Sequence, residues 1–199
     1  MSFHLPDLLN SLAEIFARPG IPARDLGQTD ALAPWVPGGL RAALWGLRAS
    51  LENLTTMEQE DRSVAYADHF LVSQEHPLLY LEASVHRTGL LRDPGILAEL
   101  ELIYAALGFH VPEGRSPDHL ATELEALAVG LQRLGALGNG DSGPLLFALN
   151  TLLDQHVSPL LENLNAVAAT RPMHPAYAEA LAAARVAAEL ARSGLHSFA

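Results

Sequence analysis

Leucines at positions 120, 124, 127, 131 and 134 recur at steps of three and four residues. That spacing puts them on one face of an α-helix. Leu40, Leu44, Leu47, Leu51 and Leu54 repeat the pattern, and Leu8, Leu9, Leu12, Ile15 and Phe16 form a third stripe. A helix with such a stripe must bury it against other helices. No strand alternation recurs, and no strand–helix–strand rhythm appears. The expected fold is therefore all-α, a single-domain helical bundle over residues 1–199 with roughly seven to nine helices. A chain of 199 residues is long enough for one proper core.

Breakers divide the helices. Arg18-Pro19-Gly20 stops the first stripe, and Pro22, Gly27, Pro34, Pro37, Gly38 and Gly39 keep the next segment irregular. Trp35 and Val36 are expected to pin that segment to the body. Thr55 with Glu58, and Thr56 with Gln59, each fit a capping box, so a helix is expected to begin there and to weaken near Ser73. Asp93 is expected to cap a helix with Pro94 at its first position, and Gly108 to end it in the left-handed conformation. Residues 135–143 read as a flexible loop and a hinge for domain swapping. Pro159 is expected to break or kink the helix that starts at Pro144, with Ser158 capping the restart. Thr170-Arg171-Pro172 is a further break before a last, Ala-rich helix that runs from about Pro175 to near Gly194.

Several function classes are excluded or disfavoured. The net charge of −11 argues against nucleic acid, whose backbone needs a basic footprint. It suits a cationic partner. There is no cysteine, hence no thiolate metal site and no cysteine nucleophile. The N-terminus lacks a secretory pattern, and no apolar run approaches the roughly 20 residues of a membrane span. A soluble, cytoplasmic chain with no membrane insertion is expected. There is no phosphate loop, no G-x-G-x-x-G, no G-x-S-x-G, no H-E-x-x-H and no paired Glu-x-x-His.

Two stretches carry candidate chemistry. Ser116-Pro117-Asp118-His119-Leu120 sets an acid beside an imidazole where a polar loop becomes a helix. Asp118 there suits the positive end of the helix dipole, and His119 suits a half-exposed surface. Alternatively, His119 and Glu123 lie four apart and share a face, as two metal ligands would. Asp68 and His69 could add ligands, but nothing in the sequence brings the two pairs together. In the second stretch, His76 to His86, helix and extended readings compete. Tyr80 and Glu82 read either as a core tyrosine and a solvated acid, or as an aromatic and an acid lining a groove for an Arg-containing apolar peptide.

The order of Tyr66-Ala67-Asp68-His69-Phe70, His76-Pro77-Leu78-Leu79-Tyr80-Leu81-Glu82, Arg92, Tyr104 to Phe109 and Ser116 to Glu125 resembles the TorD/DmsD/NarJ family of all-α chaperones for molybdenum enzymes. The Leu-Tyr-Leu run and the Pro-Asp-His-Leu element are most similar to the NarJ branch, which serves respiratory nitrate reductase and related enzymes. The segment Thr88 to Asp93 departs from the branch's usual pattern. The resemblance implies a non-catalytic chaperone with no cofactor or metal of its own. Its partner would be the catalytic subunit of a molybdenum oxidoreductase, bound by its N-terminal or twin-arginine leader until the molybdenum cofactor is inserted. The matched peptide-binding positions are Tyr80, Leu81, Glu82, Pro117, Asp118, His119 and Glu123. Glu82 and Asp118 are expected to form an acidic rim, and His119 to make binding pH-sensitive near neutrality. A helical interaction module without a maturation role and a metal-dependent hydrolase built on Asp118, His119 and Glu123 are the competing readings.

Overall fold

The computed structural model describes residues 5–17, 38–71, 79–137 and 142–196. Trp35, Val36, Ser73 and residues 138–141 of the loop expected at 135–143 lie outside them. The described residues form α1 (Leu5–Ala17), α2 (Gly38–Thr56), α3 (Gln59–Phe70), α4 (Ala83–Thr88), α5 (Pro94–Leu107), α6 (Leu120–Leu137), α7 (Gly143–Leu152), α8 (Ser158–Ala168) and α9 (Pro175–His196). The fold is all-α, as the leucine stripes require.

Local sequence signals explain some boundaries. Asp93 caps α5, its carboxylate accepting from the amides of Gly95 at 2.8 Å and Ile96 at 3.3 Å. Pro94 opens that helix, and Gly108 closes it at φ 68°. In two places competing hydrogen bonds overturn the expected boundary. Thr55 and Thr56 do not start a helix; they are the last residues of α2, and the Thr56 hydroxyl donates to the Asn53 carbonyl at 2.7 Å. Nor does Ser158 cap a restart. Residues 153–157 form a π turn that joins α7 to α8. The Ser158 amide reaches back five residues to the Leu153 carbonyl. The wide turn absorbs Pro159, which has no N–H to give. The Ser158 hydroxyl instead accepts from Arg192 of α9 at 2.9 Å, and the same guanidinium holds Asp154. The expected loop from Gly135 starts later, because α6 continues to Leu137.

Among the described residues one hydrophobic core joins the nine helices. Helix α6 lies at its centre, packed on α1, α5, α7 and the π turn, while α9 packs on α1, α2 and α8. Buried alanines along α9, at 176, 180, 183, 184, 187, 188 and 191, let those neighbours approach closely. Gly130 does the same for α6: a Cβ there would meet Leu149 at 2.6 Å and Leu107 at 2.9 Å. Tyr177 of α9 meets Tyr66 and Phe70 of α3 edge-on, and those two rings are tilted on each other, with ring centroids 5.0 to 6.0 Å apart.

Candidate functional site

The two candidate stretches meet. Residues 79–82 are not helical, Glu82 is extended, and Glu82 and His119 form an isolated antiparallel bridge. The Ala83 amide donates to the Asp118 carbonyl and the Leu120 amide to the Leu81 carbonyl, each at 2.8 Å. Of the stretch His76 to His86, in which helix and extended readings competed, residues 76–78 lie outside the described residues, 79–82 are not helical and 83–86 belong to α4. The two segments are more than thirty residues apart in sequence, and this pair of backbone bonds locks the start of α4 to the start of α6.

Asp118 reinforces the lock from inside. It is wholly buried. One carboxylate oxygen accepts from the Ser84 amide at 3.3 Å, the other from the Ser116 hydroxyl at 2.5 Å. An acid from one segment thus caps the first turn of α4, where free N–H groups need an acceptor. Asp118 does not stand on a rim, because these bonds need it inside. Pro117 contributes its carbonyl, which accepts from the Tyr104 hydroxyl at 2.6 Å. Thr122 closes the turn by donating to the Ser116 carbonyl at 2.9 Å.

His119 serves as the cap of α6, its Nδ1 accepting from the Ala121 amide at 3.1 Å. That bond requires an unprotonated Nδ1. Burial, with Arg115 adding to it against the pull of Asp118, pushes the imidazole down to about 4. His119 is therefore neutral throughout the range near pH 7, and the expected pH sensitivity near neutrality does not come from this side chain. Glu123 is completely enclosed, and neither of its oxygens has a hydrogen-bond partner in the protein. Burial first, then the neighbouring Asp118, hold its carboxyl well above the usual carboxylate range. With Nδ1 of His119 committed to α6 and Glu123 sealed in, the pair is not arranged to share a metal ion. His69 is engaged elsewhere: its Nε2 accepts from the His174 amide at 2.9 Å.

Tyr80, Glu82, Pro117 and His119 are half-buried, whereas Leu81, Asp118 and Glu123 are buried. Tyr80 is held through its carbonyl, which accepts from His86 Nε2 at 2.7 Å. Its side chain lines a shallow pocket of about 330 Å³ together with Val85, Gly89 and Leu91. Leu90 and Leu91 beside it are exposed. Glu82 carries a carboxyl raised above its ordinary value, by burial first and then by Asp118. The pocket is thus aromatic and apolar, and Glu82, two residues after Tyr80, is a half-buried acid in the negative field of Asp118.

Four further polar residues gather here that the sequence reading did not select. Ser84 and Arg87 come from α4, Glu99 from α5 and His156 from the π turn. Arg87 bridges Glu99 at 3.2 Å and donates to His156 Nδ1 at 3.4 Å. His156 Nε2 stands 3.5 Å from Glu99, close enough for an ion pair but without hydrogen-bond geometry. The signal that pointed toward His156 was Pro159: a proline three residues on marks an irregular helix, and π turns often sit at functional sites.

A family described as the nitrate reductase delta subunit matches residues 33–166, a span that includes both candidate stretches. No curated protein matches the chain significantly. The family match covers well over half of the sequence, in agreement with the all-α fold and the residue order from Tyr66 to Glu125. The chain belongs to the nitrate reductase delta subunit family, a family of molybdoenzyme assembly chaperones.

Proposed function

We propose that this protein is a non-catalytic cytoplasmic chaperone that binds the N-terminal leader of an apo catalytic subunit. The client is a molybdenum oxidoreductase, nitrate reductase or a related enzyme, and the chaperone holds it until the molybdenum cofactor is inserted. The chaperone itself takes no cofactor in this role. The observation that supports the reading is the junction of residues 81–83 with 118–120, which ties the half-buried Glu82, two residues after the pocket-lining Tyr80, to the start of α6.

The chemistry suits a leader that combines arginine with apolar residues. Tyr80, Val85 and Leu91 offer apolar surface to its hydrophobic part. Glu82 offers a carboxylate to a guanidinium, which can bond it through two N–H groups. A carboxyl raised by burial and by a neighbouring acid gains more than usual from a cation, because the cation offsets both effects. The net charge of −11 draws such a leader in. Pro117, Asp118, His119 and Glu123, with Leu81, act by holding the junction in shape. Among the described residues no helix is long and apolar enough to cross a membrane.

Affinity capture from native lysate tests the class of partner. The expected eluate contains the cofactor-free catalytic subunit of a molybdenum oxidoreductase. An eluate lacking any such subunit, from cells that make the enzyme, would overturn the reading.

A further inference from the structure

Two histidines meet at the start of α9, and both serve as acceptors. The His174 amide donates to Nε2 of His69, on α3, at 2.9 Å. The Ala176 amide donates to Nδ1 of His174 at 3.2 Å. His174 directly precedes α9 and Ala176 lies in its first turn, where N–H groups lack intrahelical partners. An imidazole accepts only through an unprotonated nitrogen, and its cation has none. Each bond therefore exists only while its ring is neutral.

The surroundings disfavour the cations. With Nε2 of His69 accepting, Nδ1 carries the proton, and that nitrogen is buried without a hydrogen-bond partner. Protonation would aim a second donor at the His174 N–H and leave the first still unpaired. On His174, a positive charge would meet the positive end of the α9 dipole. Burial is the largest influence on both rings and lowers both. For His69, Asp68 on its own helix favours the charge and His174 opposes it. Tyr177 of α9 meets both rings edge-on, with centroids 5.7 and 5.9 Å away. Its hydroxyl and that of Tyr66 are pushed up to about 12, by burial first, so both stay neutral. Glu82 acts on Tyr66, Glu179 of α9 lies against Gly46 of α2, and Arg171 is exposed.

We propose that His69 and His174 form a pH-operated latch between α3 and the start of α9. Protonating His69 sets two donors face to face and frees the α9 start from α3. Protonating His174 removes the cap on Ala176. The contacts of Tyr66 and Phe70 with Tyr177 involve no titrating group near neutrality, so they persist when the latch opens. What is freed is the entry to α9, not α3 as a whole. The sign follows from the direction of the shifts: the bonds are present at neutral pH and are lost as pH falls through the folded values, which lie below 6.5. The His69 carbonyl also accepts from the Leu79 amide at 2.9 Å, so the latch sits where the chain enters the 79–82 segment.

NMR on the free full-length chain tests this without a peptide or client, so its outcome is independent of the function proposed above. The ring protons of His69 and His174 give the two titration midpoints. Hydrogen exchange of the His174 and Ala176 amides, corrected for the intrinsic rate, reports the two bonds, with the α6 amides as reference. The expected midpoints lie below 6.5. Protection of the His174 amide should fall as pH drops through the measured His69 midpoint, approaching tenfold per pH unit, while α6 stays protected. Glutamine offers an acceptor in place of Nε2 but does not titrate, so His69→Gln should keep that amide's protection flat over the same range. A His69 midpoint at or above 6.5, protection that does not follow it, the same slope in His69→Gln, or loss of α6 protection in the same step would each overturn the proposal. The wild-type profile alone decides if the variant does not fold.

Discussion

Glu123 is the residue whose placement departs most from what its type suggests. Glutamate is almost never fully buried unless paired, yet here neither oxygen is bonded. Its folded carboxyl holds the proton above the unfolded value of about 4.3. The sign of the linkage follows. Its contribution to stability is complete below the unfolded value and is lost as pH rises through the folded one. The buried His156 and the half-buried His69, His119 and His174 are all shifted down and act oppositely, losing stability as pH falls. Comparing variant with parent cancels them. Glu123→Gln should gain in Tm relative to the wild type as pH rises above the unfolded value of about 4.3. The limiting slope is about 1.4 kcal/mol per pH unit, a few degrees in Tm for a chain of this size. A margin that is constant with pH would show that Glu123 is ionised in the fold. None of this was legible in the sequence. His119 and Glu123 were visible as neighbours four apart, but exposure, which decides their chemistry, is set by what packs over them.

At the scale of elements, signals confined to a few residues were readable and those that depend on a choice between partners were not. Asp93, Pro94 and Gly108 act within one turn, and each does what its type requires. Thr55 and Thr56 had the right spacing for two capping boxes, but α2 was still running when it reached them. The proline at 159 signalled a break, yet a π turn removes the clash by shifting the hydrogen bond one residue further back. The meeting of 81–83 with 118–120 has no periodic signature, since it is one bridge between two short segments. Tyr104 reports on that junction. Its hydroxyl is the donor to Pro117, and Tyr104→Phe removes one hydrogen bond without a change of shape. The expected loss is about 1 kcal/mol, with a carbonyl left unpaired. Equilibrium denaturation would show it, and an unchanged midpoint would mean that the bond adds nothing to the junction.

The whole molecule follows from the leucine stripes. The stripe on α6 lies at the centre of the core, with Leu120, Leu124 and Leu127 fully enclosed. Leu127→Ala should cost about 2–5 kcal/mol by leaving a cavity among helices that cannot all close in. A wild-type melting curve would remove Leu127 from the core. The fold class was therefore legible from spacing alone, and the family from residue order. The two candidate stretches were legible but their junction was not, because only tertiary contact joins them. The central claim is that this site holds a leader of mixed basic and apolar character. Calorimetry with a synthetic leader peptide of the client's catalytic subunit tests it most directly. The expected result is binding to the wild type that weakens with salt, and a loss of about tenfold, or 1.4 kcal/mol, in each of Tyr80→Ala and Glu82→Gln. Affinity unchanged in both variants, or no binding to the wild type, would contradict it.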